Sequence, residues 1–169
     1  MSRVIVLGAG VAGHTAALTL RRKLGKEHDV IVVSPNANWN WIPSNIWVGV
    51  GRMSRDTVVF PLAPVYKRKK VAFHQAKATA IWPDGDGDSA QGAVDIEYTE
   101  PGRAGQTERL RYDYLINATG PALNFAATPG LGPDNGYTVS VCTPGHATDA
   151  SEQLDAAIER ARAGERLRF

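Results

Sequence analysis

The chain has 169 residues, with 19 Lys and Arg against 17 Asp and Glu, which gives a formal net charge of +2. That length suffices for one domain with a hydrophobic core, and the near balance of charge argues against broad nucleic-acid binding. No apolar run approaches the roughly 20 residues of a transmembrane helix, and the N-terminus lacks the features of a signal peptide. A single cysteine, Cys142, rules out an internal disulfide framework. We therefore expect a cytoplasmic protein.

The first third of the chain predicts a βαβ unit. Residues 4–7 form an apolar run that is too short for a helix and is typical of a buried parallel strand. Residues 14–24 carry apolar side chains at helical spacing, and Gly25 marks the expected helix end. Residues 30–33 predict a second buried strand, so the unit closes within about 30 residues.

The turn between the first strand and the helix reads Gly-Ala-Gly-Val-Ala-Gly. Gly8 permits a tight turn, Gly10 lets the backbone approach a pyrophosphate, and Gly13 lets helix and strand pack closely. Such a pattern alone is a weak signal, and a glycine-rich turn without a ligand is the alternative. Its position between a buried strand and a helix indicates dinucleotide binding, because the helix N-terminus then faces the anion.

The second strand ends at Ser34, where dinucleotide-binding units usually carry an Asp or Glu that holds a ribose hydroxyl. The hydroxyl of Ser34 and the amide of Asn36 can still hydrogen-bond ribose hydroxyls, although without the charge assistance of a carboxylate. NADP is not indicated, because Pro35 rather than an arginine follows Ser34.

Residues 36–52 are rich in Trp, Asn, Pro and Gly without a clear period, which predicts a long functional loop. Its tryptophans, Trp39, Trp41 and Trp47, are expected to be core residues, with a wall around a bound flavin as the alternative. His14, just after the glycine turn, is expected on the helix surface rather than as a catalytic base. His74 and His146 lack companions at metal-ligand spacing, so no metal site is predicted.

The second half of the chain changes pattern. Three strands separated by turn-rich segments predict an antiparallel excursion within a parallel design; they lie at residues 71–82, 93–100 and 108–120. The last strand ends in Ala-Thr-Gly, which returns small residues and backbone groups to the mouth of the sheet, although an ordinary strand and turn would look alike.

An amphipathic helix follows at residues 147–164, and its apolar stripe includes Leu154 and Ile158. Residues 165–169 resemble the opening of another strand. A domain that stops as a strand begins suggests a piece of a longer protein.

The glycine turn and the Ala-Thr-Gly strand together resemble the two-dinucleotide-domain flavoproteins of the disulfide-reductase-like superfamily, whose first domain binds FAD. The segments PSNIWVGVG (residues 43–51), YDYLINATGPALNF (112–125) and SVCTPGHA (140–147) are similar to sulfide:quinone oxidoreductases and flavocytochrome c sulfide dehydrogenases. Members of that group often carry Ser at the position of Ser34.

The resemblance implies an α/β fold, namely a Rossmann-like FAD-binding domain with an antiparallel β insertion. The FAD-binding domain would span residues 1–147, with the insertion at about 71–112. Residues 148–169 would form a crossover helix and the first strand leading to a second dinucleotide domain, which this chain lacks.

The resemblance also implies roles for individual residues. The pyrophosphate would be held by Gly8, Gly10, Ala12 and Gly13. The adenosine would be held by Ser34, Asn36 and the backbone of Ala78. The region from pyrophosphate to ribityl chain would meet Pro43, Ser44 and Asn45, and the site would be closed by Thr119 and Gly120.

Cys142 decides between functional interpretations. Taken alone, it would be a buried small hydrophobe. In the resembling family, cysteines near the flavin oxidise sulfide to sulfane sulfur or polysulfide, and the electrons pass through FAD to quinone. That chemistry needs a cysteine pair, so this chain is expected to bind FAD without turning over. Sulfide, quinone, a missing C-terminal half and peripheral association with the inner membrane would belong to the full-length parent.

Two alternatives remain. A type II NADH:quinone dehydrogenase, or another flavin-dependent reductase on the same two domains, would need a second glycine-rich motif, which this chain lacks. A non-catalytic nucleotide-binding module would use the fold without any electron transfer.

Overall fold

The computed structural model describes residues 1–133 and 137–168. Its main sheet has six strands in the order β7-β6-β5-β2-β1-β8. They are β1 Arg3–Leu7, β2 Asp29–Ser34, β5 Ala72–Trp82, β6 Ala93–Tyr98, β7 Thr107–Arg111 and β8 Tyr114–Asn117. A two-stranded sheet is formed by β3 Asn38–Asn40 and β4 Val59–Pro61.

The described residues also form five α-helices, together with 3₁₀ turns at Ile42–Ser44 and Phe125–Ala127. The helices are α1 Val11–Lys23, α2 Asn45–Gly49, α3 Arg55–Val58, α4 Leu62–Lys69 and α5 Pro144–Arg162.

The parallel part of the sheet confirms the predicted βαβ unit. β1 lies between β2 and β8, with Leu7 opposite both Val33 and Asn117. Residues 4–7 and 30–34 are buried, because α1 and α4 cover one face of these strands. Each aliphatic side chain that is fully buried contributes about 1.5–3 kcal/mol, so these short apolar runs hold the centre of the fold.

The antiparallel insertion begins within β5, which changes partner along its length. Residues 72–75 pair parallel to β2, and residues 76–82 pair antiparallel to β6, with an irregularity between Ala78 and Ala80. β7 then pairs antiparallel to β6. Side chains from β6 and β7 join those of β1 and β2 in one apolar cluster. The expected Rossmann-like α/β fold with an antiparallel β insertion is therefore confirmed.

The chain divides into two compact units. The first comprises residues 1–39 and 61–121 and contains the six-stranded sheet, and the second comprises residues 40–60 and 122–169. The limits of these two units do not coincide with the predicted domain boundary between residues 147 and 148. That boundary stays a prediction of domain organisation.

The second unit contains α2, α3 and α5. α2 packs on α5, where Val48 and Ala147 are buried against each other in a small apolar cluster that also holds Val58. The predicted loop at residues 36–52 is thus partly regular. The sequence did not indicate this, because elements of three to five residues are too short to show a period.

The last helix starts earlier than its pattern predicts. Ala147 and Ala150 are its buried residues, whereas Leu154 and Ile158 of the predicted apolar stripe are 36% and 38% exposed. Residues 165–168 are not in a strand, contrary to expectation, and Phe169 lies outside the described residues. In the part of the chain that the structure describes, no helix combines the length and apolar character needed to cross a membrane.

Candidate functional site

The turn after β1 is held tightly against the neighbouring strands. The backbone N–H of Gly8 donates to the carbonyl of Val33 at 2.7 Å, and the N–H of Ala118 donates to the carbonyl of Leu7 at 2.8 Å. Gly8 has φ of +92°, and a Cβ there would lie 2.7 Å from the carbonyl carbon of Ala118 and 3.0 Å from Cα of Thr119. Only glycine fits at this position.

Gly13 brings α1 down onto this turn. A Cβ at Gly13 would meet the backbone carbonyl of Gly8 and would come within 3.3 Å of Cβ of Ala118. The glycine therefore allows the first turn of the helix to lie directly above the end of β1, as the motif predicts.

Gly10 differs from its two companions, because nothing lies within 4 Å of the position that a Cβ would take. It is the N-cap of α1 and makes no side-chain capping hydrogen bond, and neither Val11 nor Ala12 beside it is acidic. The residues from Gly10 to Ala12 are exposed. An open helix N-terminus with a positive dipole end and no carboxylate of its own fits the pyrophosphate of a dinucleotide.

The end of β8 forms the next part of the same edge. Both the backbone N–H and the hydroxyl of Thr119 donate to Oδ1 of Asn117, at 3.2 and 2.8 Å. The exposed Gly120 follows with φ of +74°. Asn117 thus fixes the path of the Ala-Thr-Gly segment beside the glycine turn, a role that the sequence did not reveal.

The predicted adenosine contacts lie beyond the ends of β2 and within β5. Ser34 is only 3% exposed, and its Oγ accepts a hydrogen bond from the backbone N–H of Asn36 at 3.4 Å. Asn36 itself is exposed. Ala78 lies three residues after Gln75, the partner of Ser34, which places it roughly 10 Å beyond the end of β2 along the strand. These positions leave Asn36 the most accessible of the three.

In the second unit, Asn45 is fully buried and its side chain is satisfied by protein groups. It forms a reciprocal amide pair with Asn40, at 2.9 and 3.0 Å, and its Nδ2 also donates to the carbonyl of Val141 at 3.0 Å. Pro43 is exposed and Ser44 is half-buried. The amide pair had no signal in the sequence, since two asparagines five residues apart suggest only a turn.

Cys142 is exposed, which overturns the interpretation of an isolated buried thiol. Its backbone N–H donates to Oγ of the buried Ser140 at 3.1 Å, and the next residue, Thr143, caps α5 by accepting from the N–H of His146 at 3.2 Å. The thiol therefore sits on a short segment that is fixed on both sides by hydrogen bonds.

A cluster of rings lies behind the glycine turn. Nδ1 of His14 is 3.0 Å from the hydroxyl of Tyr66, and the ring centroids of His14 and Trp39 are 5.6 Å apart. Burial lowers the pKa of His14 and raises the pKa of Tyr66 to about 12. His14 is thus half-buried rather than the expected surface residue. Trp39 is half-buried, whereas Trp41 and Trp47 are exposed, contrary to the expected core role.

Within residues 1–133 and 137–168, no group of three or more His, Cys, Asp or Glu side chains is arranged to hold a metal ion.

Residues 2–158 match the model of the pyridine nucleotide-disulphide oxidoreductase family. The chain belongs to this family. Its members and the related sulfide-quinone reductases bind FAD. The open helix N-terminus and the two close-packed glycines described above fit that cofactor.

Two curated relatives and one solved structure are similar to most of this chain. It is 30% identical over 151 residues to the sulfide-quinone reductase of Aquifex aeolicus, covering 89% of this chain and 31% of that protein. It is also 30% identical over 132 residues to the external alternative NAD(P)H-ubiquinone oxidoreductase B1 of Solanum tuberosum, covering 76% and 22%.

The solved structure of the sulfide:quinone oxidoreductase from Aquifex aeolicus superimposes with a TM-score of 0.76 at 24% identity, covering 94% of this chain and 33% of that one. The chain therefore spans about a third or less of the length of these relatives. At that level of identity the solved structure supports the fold.

Proposed function

We propose that this chain is the FAD-binding part of a flavin-dependent oxidoreductase of the sulfide:quinone type. The observation that carries the proposal is the open N-terminus of α1 at Gly10, which lies between the close-packed Gly8 and Gly13. FAD, when bound, accepts two electrons from a donor substrate. The protein's part is to bind and orient the cofactor, because α1 presents backbone N–H groups to the pyrophosphate.

The individual contacts are assigned on the resemblance, and the positions described above support the assignment. Gly10 and Ala12 present exposed backbone to the pyrophosphate, and Gly8 and Gly13 keep that backbone in place. Asn36 supplies the ribose hydrogen bond, with Ser34 holding the Asn36 backbone, and Ala78 offers its backbone to adenine. Thr119 and Gly120 close the edge beside the turn.

In the second unit, Pro43, Ser44 and Asn45 are assigned to the ribityl region on the resemblance alone. The side chain of Asn45 is engaged with Asn40 and Val141, so its contribution is to hold the backbone of α2 in position. Of these three residues, Pro43 is exposed, Ser44 is half-buried and Asn45 is buried.

Sulfide as the donor and quinone as the acceptor are supported by the similarity to the sulfide-quinone reductase of Aquifex aeolicus. The exposed thiol of Cys142 is the group that such chemistry requires. The complete reaction needs a second thiol, and Cys142 is the one cysteine in this sequence. We therefore expect the chain to bind FAD and to show no steady-state reduction of quinone by sulfide.

The second candidate is an NADH:quinone dehydrogenase, which is favoured by the similarity to the NAD(P)H-ubiquinone oxidoreductase of Solanum tuberosum. That reaction needs no thiol. A non-catalytic nucleotide-binding module would also bind FAD or ADP, and neither of these alternatives requires Cys142 to lie near the flavin.

Protection of the thiol separates these candidates without an activity assay. Cys142 is alkylated with iodoacetamide in the apo chain and at saturating FAD, and the rate is followed by mass spectrometry. We expect rapid labelling of the apo chain, because the thiol is exposed, and at least a roughly fivefold slower rate with FAD. ADP, which occupies the same turn without the flavin, is the matched control and should not protect. Equal rates with FAD and ADP would remove the support for sulfide oxidation at Cys142.

A further inference from the structure

Eight of the 19 Lys and Arg residues of this chain lie in two short segments of the first unit. Residues 21–29 and 67–70 contain eight Lys and Arg against two acidic residues, for a net charge of +6. Since the whole chain has a net charge of +2, the remaining residues carry −4. These two segments therefore form a strongly positive surface, although the net charge of the whole chain is close to neutral.

This surface surrounds a cavity at the amino ends of β2 and β5. The cavity has a volume of about 740 Å³, and its apolar wall includes Val30, Ile31 and Ala72. Its polar lining consists of Arg21, Lys26, His28, Asp29, Lys69 and Lys70. The cavity lies at the opposite edge of the sheet from the glycine turn, because β1 and β2 run parallel with Arg3 opposite Asp29 and Leu7 opposite Val33.

A second cavity, of about 540 Å³, adjoins the first along α1 and shares Arg21 and Lys69 with it. It extends to His14, so the two cavities together follow α1 from residue 14 to residue 24. At 1.5 Å per residue this groove is roughly 15 Å long. Its length and volume exceed what a single inorganic anion requires.

The negative ends of two helices offset only part of this positive charge. α1 and α4 both end here, and each end carries about half a negative charge. The guanidinium of Arg21 already donates to the carbonyls of Leu24 and His28, at 3.1 and 2.7 Å. The last turn of α4 is closed by backbone hydrogen bonds from Lys70 and Val71.

The two acidic residues of the surface are also engaged. Asp29 lies 3.4 Å from the guanidinium of Arg3, and Glu27 lies 3.3 Å from the ring of His28. Among the ion pairs of residues 1–133 and 137–168, none includes Lys26, Lys69 or Lys70. Three ammonium groups therefore face this cavity without an acidic partner among the described residues.

We propose that the first cavity, at the amino ends of β2 and β5, is a second anion site that is distinct from the dinucleotide turn. It binds a ligand carrying two or more phosphate groups. Lys26, Lys69 and Lys70 contact the phosphate oxygens as charged donors, and the apolar wall of β2 and β5 accommodates an uncharged part of the ligand. Phosphates on a soluble metabolite and on a lipid headgroup share this chemistry.

Calorimetric titration with sodium tripolyphosphate tests the proposal. Gly10→Asp places a carboxylate at the dinucleotide turn, so binding that persists in this variant takes place elsewhere. The double variant Lys26→Gln/Lys69→Gln removes two lining charges from exposed positions. We expect its Kd for tripolyphosphate to rise by roughly tenfold or more, since charged hydrogen bonds are lost.

The matched control is Lys23→Gln/Lys67→Gln, which makes the same change of charge on α1 and α4 outside both cavities. Its Kd should rise by less than about threefold, which is the diffuse electrostatic effect alone. Equal weakening in the two double variants, loss of binding in Gly10→Asp, or no binding by the wild-type chain would each overturn the proposal.

The source of the phosphate groups is distinguished by sedimentation with phosphatidylcholine vesicles that contain a phosphoinositide bisphosphate. Tripolyphosphate binding together with co-sedimentation that requires Lys26 and Lys69 supports the site and assigns it to a lipid headgroup. Tripolyphosphate binding without co-sedimentation supports the site and assigns it to a soluble ligand.

Discussion

Asn45 shows how a single buried amide can organise a segment that carries assigned ligand contacts. Its side chain forms three hydrogen bonds, which connect the start of α2 to Asn40 and to the carbonyl of Val141, one residue before Cys142. Buried polar groups of this kind stabilise a structure when they are fully satisfied and cost free energy when one partner is removed.

We predict that Asn45→Ala lowers the free energy of unfolding by about 2–4 kcal/mol, because it leaves a cavity and unsatisfied partners. Urea denaturation of the apo chain measures the change. The control is Asn124→Ala in the same unit, where the side chain is exposed, and it should stay within about 0.5 kcal/mol of wild type. A similar loss in both variants would contradict the role assigned to Asn45.

His74 belongs to a chain of short hydrogen bonds within the antiparallel insertion. The hydroxyl of Tyr98 donates to Glu108 at 2.5 Å and lies 2.6 Å from Nδ1 of His74. Because Tyr98 has only one proton to donate, neutral His74 must carry its proton on Nδ1 and donate it to Tyr98. Burial lowers the pKa of His74 below its usual 6.5, opposed by Glu108 and assisted by Arg103.

A lowered pKa in the folded state makes stability depend on pH. The unfolded chain takes up a proton on His74 more readily than the folded chain does. The contribution of neutral His74 to the free energy of unfolding is therefore present above pH 6.5 and is lost as the pH falls through the lower folded pKa. We predict that unfolding free energy decreases from pH 7.5 to pH 5.5 by less in His74→Gln than in wild type. His14, whose pKa is lowered in the same direction, keeps part of the dependence. Parallel pH profiles for the two proteins would contradict this prediction.

At the scale of elements, Gly13 determines how closely α1 approaches β1. We predict that Gly13→Ser lowers the free energy of unfolding by about 1–3 kcal/mol, since a Cβ there meets the Gly8 carbonyl. Gly10→Ser introduces the same side chain three residues earlier into open space at the N-cap, and it should change stability by less than about 0.5 kcal/mol. Chemical denaturation of both variants measures this difference, and equal losses would contradict it.

The elements that could be predicted from sequence are those with a strong local signal. Residues 4–7 and 30–33 are apolar without interruption, and β5 and β6 lie between turn-rich segments, so these strands are confirmed. The single antiparallel strand predicted at residues 108–120 is wrong, because that stretch divides into β7, which pairs antiparallel to β6, and β8, which pairs parallel to β1. The glycine spacing similarly identified the turn after β1, because Gly8 and Gly13 each meet a separate steric requirement and Gly10 leaves the helix N-terminus open.

The elements that could not be predicted depend on contacts distant in sequence. α2 is five residues long and is held by packing on α5 and by Asn45, so it has no period of its own. α5 buries Ala147 and Ala150, which are too small to dominate a hydrophobic pattern, whereas the more conspicuous Leu154 and Ile158 are exposed. The burial of Ser34 likewise results from its strand neighbours rather than from its own chemistry.

At the scale of the whole molecule, the first unit uses the two edges of one parallel sheet differently. The carboxyl edge carries Gly8, Gly10 and the Ala-Thr-Gly segment, which fit a dinucleotide. The amino edge carries the basic cavity beside Lys26 and Lys69. The edges are separated by about 13–17 Å, the length of a five-residue strand, so the two sites can be altered independently.

The central claim is that FAD binds through the open N-terminus of α1, and the most direct measurement is a fluorescence titration of FAD into wild type and Gly10→Asp. An N-cap aspartate keeps the helix as stable as glycine or slightly more so, while its carboxylate occupies the place of the pyrophosphate. The account predicts saturable FAD binding by wild type, weakened by roughly 100-fold or more in Gly10→Asp through like-charge repulsion.

The matched control Gln106→Glu adds the same charge at an exposed turn and should bind FAD as wild type does. Unchanged FAD affinity in a folded Gly10→Asp protein would contradict the claim.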